Sequence, residues 1–272
     1  MTRKTLLVLA LFFLINIFGY PDIFKKCISG QPISSSDVLN EMESFNGTIG
    51  FYAKNLKTGK TISFQENRVF PTASTSKLIV ALAVYKYIYP HALDEQKNLY
   101  DGYIKSMIEI SDNEAFYILL NVIEDIKPEA LHYVARDLGL QQTLIHDEEA
   151  FQIYQYHSVT TPREMATVME HIYKSKYIDY YKSEELKNEL ANTIFKDEIP
   201  RYIRGKVMHK VGELDAVLCD VGIVDDDKNQ VLISVYTITQ GPHNYASDFI
   251  AGISAKAFTV LKHSDDISIY LP

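Results

Sequence analysis

The stretch that decides the fold is VMHKVGELDAVLCDVGIVDDDKNQVLISVYTIT, at residues 207–239. Within it, Val207 to Gly212, Val217 to Val224 and Val231 to Thr239 show a period of two, which predicts three strands. The acidic turn at 225–229 joins the last two strands as a hairpin. Because hairpin strands pair antiparallel, this stretch predicts the main part of an antiparallel sheet.

Two further strands are predicted near the amino end, at Thr48 to Tyr52 and Thr61 to Phe64. Helices are predicted at 38–45, 74–89, 100–110, 113–125, 128–138, 162–175, 183–193 and 246–261, from apolar periodicity and caps. This order predicts an α/β (α+β) fold, in which one antiparallel sheet is built from both chain ends and an all-helical insertion separates them. We expect one domain over 36–272. Its α/β part covers 36–70 and 205–272, and its helical part covers 71–204.

The amino end predicts a targeting segment. Arg3 and Lys4 precede the apolar run Leu6 to Phe18, as in an export signal. Residues 1–24 are therefore either a signal peptide or a membrane anchor, and the lack of a small-x-small cleavage site favours the anchor. The polar stretch 25–35 predicts a linker. We expect an exported protein that is extracellular or attached to the outer face of the cytoplasmic membrane.

Composition excludes several classes of protein. With 27 Lys and Arg against 35 Asp and Glu, the net charge is −8, which argues against binding nucleic acid through its phosphates. Cys27 and Cys219 are too few for a disulfide scaffold, although a bridge between them stays open. The eight histidines lack metal-ligand spacing, so we expect no metal and no cofactor. His146, His157 and His209 are expected at the surface or in loops, and the protein is expected to be a monomer.

A first chemical motif lies in FPTASTSK, at residues 70–77. Ser74 stands at a helix start and Lys77 follows one turn later, so both point to the same side. A lysine can act as the base for a serine when burial or a nearby cation lowers its pKa. Chance alone gives roughly one such pair in this composition, so a helix cap with a surface lysine stays an alternative.

Two more motifs follow in the chain. In Ser111-Asp112-Asn113, the Ser111 hydroxyl could relay a proton, and the Asn113 amide could hold Lys77 and a substrate carbonyl; the alternative is a simple helix cap. In HKVGE, at residues 209–213, Lys210 could supply positive potential for an anionic substrate. Gly212 could let a ligand lie close to the backbone, while the alternative for Lys210 is a solvated strand residue.

The three motifs in this order resemble the signature of class A serine β-lactamases and related penicillin-binding acyl-serine enzymes. The resemblance implies a two-domain α/β sandwich with Ser74 at the domain interface. It makes Ser74, Lys77, Ser111 and Lys210 catalytic, and Asn113, Val211, Gly212 and Glu213 substrate-binding. The backbone N–H groups of Ser74 and Glu213 would form the oxyanion hole. The implied substrate is a β-lactam or a peptidoglycan-like peptide.

The sequence also departs from that family. On the Ω-loop the family carries Glu-x-x-Leu-Asn, whose glutamate activates the deacylating water, whereas this chain reads HDEEAFQ at 146–152. Glu148 and Glu149 are possible deacylation bases, although an exposed acidic loop is the preferred interpretation. Val211 replaces the threonine of Lys-Thr-Gly, and the family's arginine is absent from 218–220. Ser111 follows Ser74 by only 37 positions, which predicts a shortened pocket wall.

These features leave three functions open. The preferred one is a serine acyl hydrolase that opens β-lactam amide bonds through a Ser74 acyl-enzyme, with weak turnover. The alternatives are a peptidoglycan D-amino-acid peptidase and a non-catalytic, cell-surface binding member of the family. The intact serine and lysine motifs favour catalysis. Val211 and the missing Ω-loop glutamate favour a binding role.

Overall fold

The computed structural model describes residues 33–262. The predicted targeting segment, all but the last residues of the predicted linker, Cys27 and the end of the chain lie outside these residues. Between residues 33 and 262, no helix is long and apolar enough to cross a membrane.

A five-stranded antiparallel sheet is the centre of the fold. Seven strands lie in the described residues, five of them in this sheet. They are β1 (Thr48–Asn55), β2 (Thr61–Phe64), β3 (Phe70–Pro71), β4 (Val159–Thr160), β5 (Lys206–Leu214), β6 (Val217–Asp225) and β7 (Gln230–Ile238). The sheet order is β2-β1-β7-β6-β5, and β3 pairs separately with β4. Strands from the two ends of the chain meet where Thr48 pairs with Ile238 and Asn55 with Val231. The predicted fold class is confirmed.

Nine α-helices lie in the described part of the chain. They are α1 (Ser35–Glu43), α2 (Lys77–Ala83), α3 (Asp94–Glu109), α4 (Asn113–Ile126), α5 (Ala130–Asp137), α6 (Glu148–Tyr154), α7 (Pro162–Tyr173), α8 (Tyr180–Asn192) and α9 (His243–Lys262). The helix predicted at 74–89 is composite. It begins as the 3₁₀ turn Ala73–Ser76, continues as α2 and ends in the π-helical turn Val84–Ile88. The sequence pattern does not predict α6.

The hydrophobic core lies on both faces of the sheet. Along β7, Val231, Ile233 and Val235 pack in one cluster with α1 and α9, while Leu232 and Tyr236 pack in the other cluster with the helical part. This alternation follows from the period of two in a strand. Helix α2 lies in the middle of the helical cluster with every residue buried. The site described below begins where α2 meets β5.

Candidate active site

Ser74 lies in the 3₁₀ turn between β3 and α2. The residue before it, Ala73, has a φ of 45°, a left-handed conformation that is unfavourable for alanine and typical of strained functional turns. The turn is held by Thr75, whose Oγ1 lies 2.6 Å from the Thr72 carbonyl oxygen and 2.8 Å from the Tyr236 hydroxyl. These bonds keep Ser74 at the end of a buried helix while its own side chain stays half-buried.

The Lys77 ammonium is buried against Ser74. Its Nζ lies 3.1 Å from Ser74 Oγ, 2.7 Å from the Ser111 carbonyl oxygen and 2.7 Å from Asn113 Oδ1. Burial lowers the pKa of Lys77 to about 8, although the Asp112 carboxylate acts in the opposite direction. A neutral amine has two hydrogens for the Ser111 and Asn113 oxygens and a lone pair for the Ser74 hydroxyl. The geometry therefore suits Lys77 as the base for Ser74.

Ser111 connects Lys77 to a second lysine. Its Oγ lies 3.1 Å from Lys77 Nζ and 2.9 Å from Lys210 Nζ. Its φ of 58° is also left-handed. The helix cap that the sequence offered as an alternative is Asp112, whose side chain accepts from the backbone of Glu114 and Ala115. The cap and the hydroxyl contact thus belong to different residues of the motif.

Lys210 is fully buried on β5. Its Nζ donates to Ser111 Oγ and, at 2.9 Å, to the Val211 carbonyl oxygen. Burial, together with the positive charge of Lys77, lowers the pKa of Lys210 to about 7. The alternative of a solvated strand lysine is wrong. Ser74, Lys77, Ser111 and Lys210 form one continuous chain of polar contacts.

Gly212 brings β5 against the nucleophile's turn. A Cβ at this position would lie 2.8 Å from Ser74 N, 2.9 Å from Cys219 Sγ and 3.0 Å from Ala73 Cβ. The space that the glycine leaves is thus occupied by the Ser74 backbone, and not by a ligand as predicted from the sequence. Glu213, the next residue, is exposed, and its Oε1 lies 2.9 Å from His243 Nδ1.

Two lobes of one cleft open at Ser74. The larger, which we call the aromatic lobe, holds about 1040 Å³ of empty space; its lining includes Ser74, Lys77, Asn113, Phe116, Tyr117, His146, Tyr156 and His157. The smaller, which we call the acidic lobe, holds about 610 Å³ and includes Ser74, Ser111, Asp197, Glu198, Val211, Glu213 and His243. Ser74 and Glu213 line both lobes. Of the predicted catalytic and substrate-binding residues, all except Lys210, Gly212, Glu148 and Glu149 line one of the lobes.

A comparison with protein-family models gives a match over residues 34–101 and 102–261, to the β-lactamase enzyme family. The chain belongs to this family. Among curated proteins, the sequence matches none. The contacts above bring together Ser74, Lys77, Ser111 and Lys210, four of the residues on which the sequence resemblance rested.

Solved structures show the same fold. The structure of PBP-A has a TM-score of 0.72 at 20% identity, covering 86% of this chain and 96% of that chain. The TLA-1 extended-spectrum β-lactamase has a TM-score of 0.70 at 18% identity, covering 84% and 98%. A β-lactamase from Chitinophaga pinensis has a TM-score of 0.68 at 20% identity, covering 81% and 96%.

The acidic lobe differs from what the family pattern implies. Val211 pairs across the strands with Asp220, which is fully buried in the region where the resemblance implies an arginine. Asp220 accepts from the Ile199 backbone at 3.1 Å, and both of its oxygens lie 2.9 Å from His209 Nδ1. The lobe therefore presents neither a hydroxyl at Val211 nor a guanidinium opposite it.

His209 corrects a sequence prediction. It was expected at the surface or in a loop, but it is fully buried on β5. Its Nδ1 contacts Asp220, and its Nε2 lies 3.0 Å from the Phe195 carbonyl oxygen. Both ring nitrogens are thus satisfied inside the protein, which removes the usual penalty for burying a polar ring.

Glu148 and Glu149 lie at the start of α6 and line neither lobe. The Glu148 side chain is 81% exposed, and its Oε1 lies 3.5 Å from His157 Nδ1. Asp147 caps this short helix by accepting from the Ala150 backbone. The structure thus brings neither glutamate to Ser74. Their role as deacylation bases stays a prediction that no contact supports.

The residues that sequence reasoning missed are His146 and His157. Both are exposed, as expected, but both also line the aromatic lobe beside Ser74. Spacing carries no signal for them, because they are not a metal motif and lie 11 positions apart on either side of α6. Within residues 33–262, no group of three His, Cys, Asp or Glu side chains is placed to hold a metal ion.

Proposed function

We propose that the protein is a serine acyl hydrolase that opens β-lactam amide bonds through an ester on Ser74, with weak turnover. The observation that carries this proposal is the position of Lys77. Its Nζ lies 3.1 Å from Ser74 Oγ, while the Ser111 carbonyl oxygen and Asn113 Oδ1 accept hydrogen bonds from it. A buried lysine with a lowered pKa is a base that a serine nucleophile requires.

The acylation step uses the four-residue chain. Lys77 takes the Ser74 proton as Oγ attacks the β-lactam carbonyl carbon, and the C–O bond of the ester forms. The C–N bond of the ring breaks, and the nitrogen takes a proton from the Ser111 hydroxyl, which regains one from the Lys210 ammonium 2.9 Å away. The backbone N–H groups of Ser74 and Glu213 stabilise the oxyanion between these events.

Weak turnover follows from what the cleft lacks. The Ω-loop glutamate of the family has no counterpart in the aromatic lobe, and a general base typically contributes ~10²- to 10⁴-fold. Val211 offers no hydroxyl to a substrate carboxylate, which removes a charge-assisted hydrogen bond of ~1.5–3 kcal/mol. The ester should therefore form slowly and persist.

The alternative is a peptidoglycan D-amino-acid peptidase. Ser74 would attack a peptide carbonyl carbon through the same chain of polar contacts. The missing Ω-loop glutamate fits this alternative, because a protein without it would hold a β-lactam ester for a long time. A variant of PBP-A, one of the similar structures, was solved as an acyl-enzyme complex with penicillin G. A non-catalytic binding role is disfavoured by the low pKa of Lys77, which binding alone does not need.

The remaining assignments are proposals of the same kind. We propose that the protein is exported, because Leu6 to Phe18 has the pattern of a signal or anchor, and that it acts as a monomer without a cofactor. A location outside the cytosol would place it where β-lactams and wall peptides are met.

The test is intact-protein mass spectrometry after mixing with benzylpenicillin, followed over time. It reports the gain of the adduct and its loss as separate rates. The proposal expects slow gain of one penicillin mass and an even slower return to the free mass. A protein that never gains mass, at any penicillin concentration, would leave only the binding role. Efficient clearance at about 10 per second or more would contradict weak turnover.

A further inference from the structure

Two imidazoles stand in the aromatic lobe beside the nucleophile. His146 lies in the loop before α6, and His157 lies just after it. The other titratable groups that line this lobe are Lys77, Tyr117, Tyr156 and Glu213. Lys77 is engaged with Ser74 and Asn113, and Glu213 is paired with His243. The two imidazoles are thus left without an assigned role. Imidazole is the type of side chain that can accept a proton near neutral pH.

Hydrogen bonds fasten His146 to the nucleophile's segment. The His146 backbone N–H donates to Ser158 Oγ at 3.0 Å, and the Ser158 carbonyl oxygen accepts from the Thr72 backbone at 3.0 Å. Thr72 precedes Ser74 by two positions. Val159, the residue after Ser158, exchanges two backbone hydrogen bonds with Leu144, which joins the segments before and after α6. His146 is therefore two hydrogen bonds from the turn that carries Ser74.

The backbone at His146 is left-handed. Its φ of 52° is uncommon for a residue other than glycine, although histidine adopts it more readily than most side chains do. Sparsely populated backbone conformations are concentrated at functional sites. Three other residues that line the cleft, Ala73, Ser111 and Gln155, also have a left-handed backbone.

The His146 ring is the freer of the two imidazoles. Among residues 33–262, no hydrogen bond joins a side chain or backbone group to its ring nitrogens. The His157 ring instead stacks on Phe151, with centroids 4.4 Å apart, and its Nδ1 faces Glu148. The two imidazole centroids are 6.3 Å apart. A water molecule in the lobe can therefore reach a nitrogen of His146 without displacing a protein partner.

We propose that His146 is the base that activates water to release the acyl group from Ser74. This inference rests on the proposed function, because it needs the Ser74 ester. A ring nitrogen takes one proton from water while the water oxygen bonds to the ester carbonyl carbon. The carbonyl–Oγ bond then breaks, Ser74 Oγ regains the proton, and the ring-opened acid leaves with the second water hydrogen.

Acidic side chains lie on the far side of His146. On its other side His146 borders a cavity of about 840 Å³ that is also lined by Glu124, His132, Asp147 and Glu148. Three of these four groups are carboxylic acids, so their charge is opposite to that of the imidazolium that the step creates. Within the aromatic lobe, the other basic side chains are Lys77 and His157. The exposed position of the ring explains why the turnover it supports is modest, since solvent competes for its nitrogens.

The experiment compares His146→Asn with wild type by time-resolved mass spectrometry after benzylpenicillin. Asparagine tolerates the left-handed backbone, so this variant keeps the loop but lacks a base. We expect acylation within about threefold of wild type and an adduct that lasts about 10²-fold longer. Deacylation of wild type should slow on acidification from pH 7 to pH 5, as general-base catalysis requires, and that of His146→Asn should not.

Two further measurements make the result decisive. The exposed His91, which lines neither lobe, provides the matched control His91→Asn, whose adduct lifetime should equal that of wild type. In His146→Gly, glycine suits the backbone and leaves space, so imidazole added to the buffer should shorten the adduct lifetime at least tenfold. Absence of any adduct in all proteins would overturn both the proposed function and this inference. A normal adduct whose lifetime is unchanged in His146→Asn, or is prolonged by His157→Asn instead, would overturn this inference alone.

Discussion

The two buried lysines make a specific prediction about pH. The pKa of Lys77 is lowered to about 8 and that of Lys210 to about 7. Acylation needs Lys77 to be neutral, as the base, and Lys210 to be protonated, as the acid. Because Lys210 has the lower pKa, the reactive species carries its proton on the more acidic of the two lysines. Its share of the protein peaks midway between the two pKa values. The second-order acylation rate should therefore be bell-shaped, with a maximum near pH 7.5 and a loss of about fivefold from pH 7 to 6 and from pH 8 to 9.

Lys210→Arg separates the two limbs of this profile. Arginine keeps its proton throughout the range, so the falling limb should vanish, while the rising limb should still level off above pH 8. The assay is mass-spectrometric acylation by benzylpenicillin at low conversion, in buffers of constant ionic strength. A rate that climbs about tenfold per pH unit beyond pH 9 in both proteins would mean that the pKa of Lys77 is not lowered, which would contradict its role as a base near neutral pH.

Three other predictions test separate parts of the structure. Val211→Thr should speed acylation by benzylpenicillin about tenfold, because it restores a hydroxyl in the acidic lobe, and should leave the adduct lifetime unchanged. Gly212→Ala should slow acylation about 10²-fold, because its Cβ would lie 2.8 Å from Ser74 N; Gly102→Ala, where nothing lies within 4 Å, is the control. Burial raises the pKa of Glu189 to about 8, and its Oε2 is buried without a hydrogen-bond partner. The folded state then binds this proton more tightly than the unfolded state, so stability falls as pH rises from about 5 to 8. Glu189→Gln should remove most of this fall and exceed wild type by about 3 kcal/mol in urea unfolding at pH 9; identical urea curves for the two proteins at that pH would contradict this account.

Much of the fold is local enough to be predicted from the sequence. The strands at 207–212, 217–224 and 231–239 are observed within two residues at each end, because a period of two over buried residues is a strong signal. The helix predicted at 113–125 is observed as Asn113–Ile126, since Asp112 is a good cap and the apolar face is regular. The helix predicted at 100–110 begins earlier, at Asp94, because its first turns are mostly polar and carry little periodicity.

The parts that could not be predicted depend on distant partners. Helix α6 has seven residues, and its apolar side chains Phe151, Ile153 and Tyr154 are exposed, so no buried stripe marks it. The burial of His209 depends on Asp220 across the strand pair, which composition does not reveal. The position of His146 in the aromatic lobe depends on the bond to Ser158, a loop contact with no sequence signal.

Peptide mapping of the acyl group shows directly whether Ser74 is the nucleophile. Trypsin should release residues 69–77, which contain Ser74 and Ser76, as one peptide after cleavage at Arg68 and Lys77. After brief exposure to benzylpenicillin, the account predicts that this peptide alone gains the penicillin mass, that fragmentation places it on Ser74, and that Ser74→Ala abolishes it. An adduct on another residue, or one that survives in Ser74→Ala, would contradict the account.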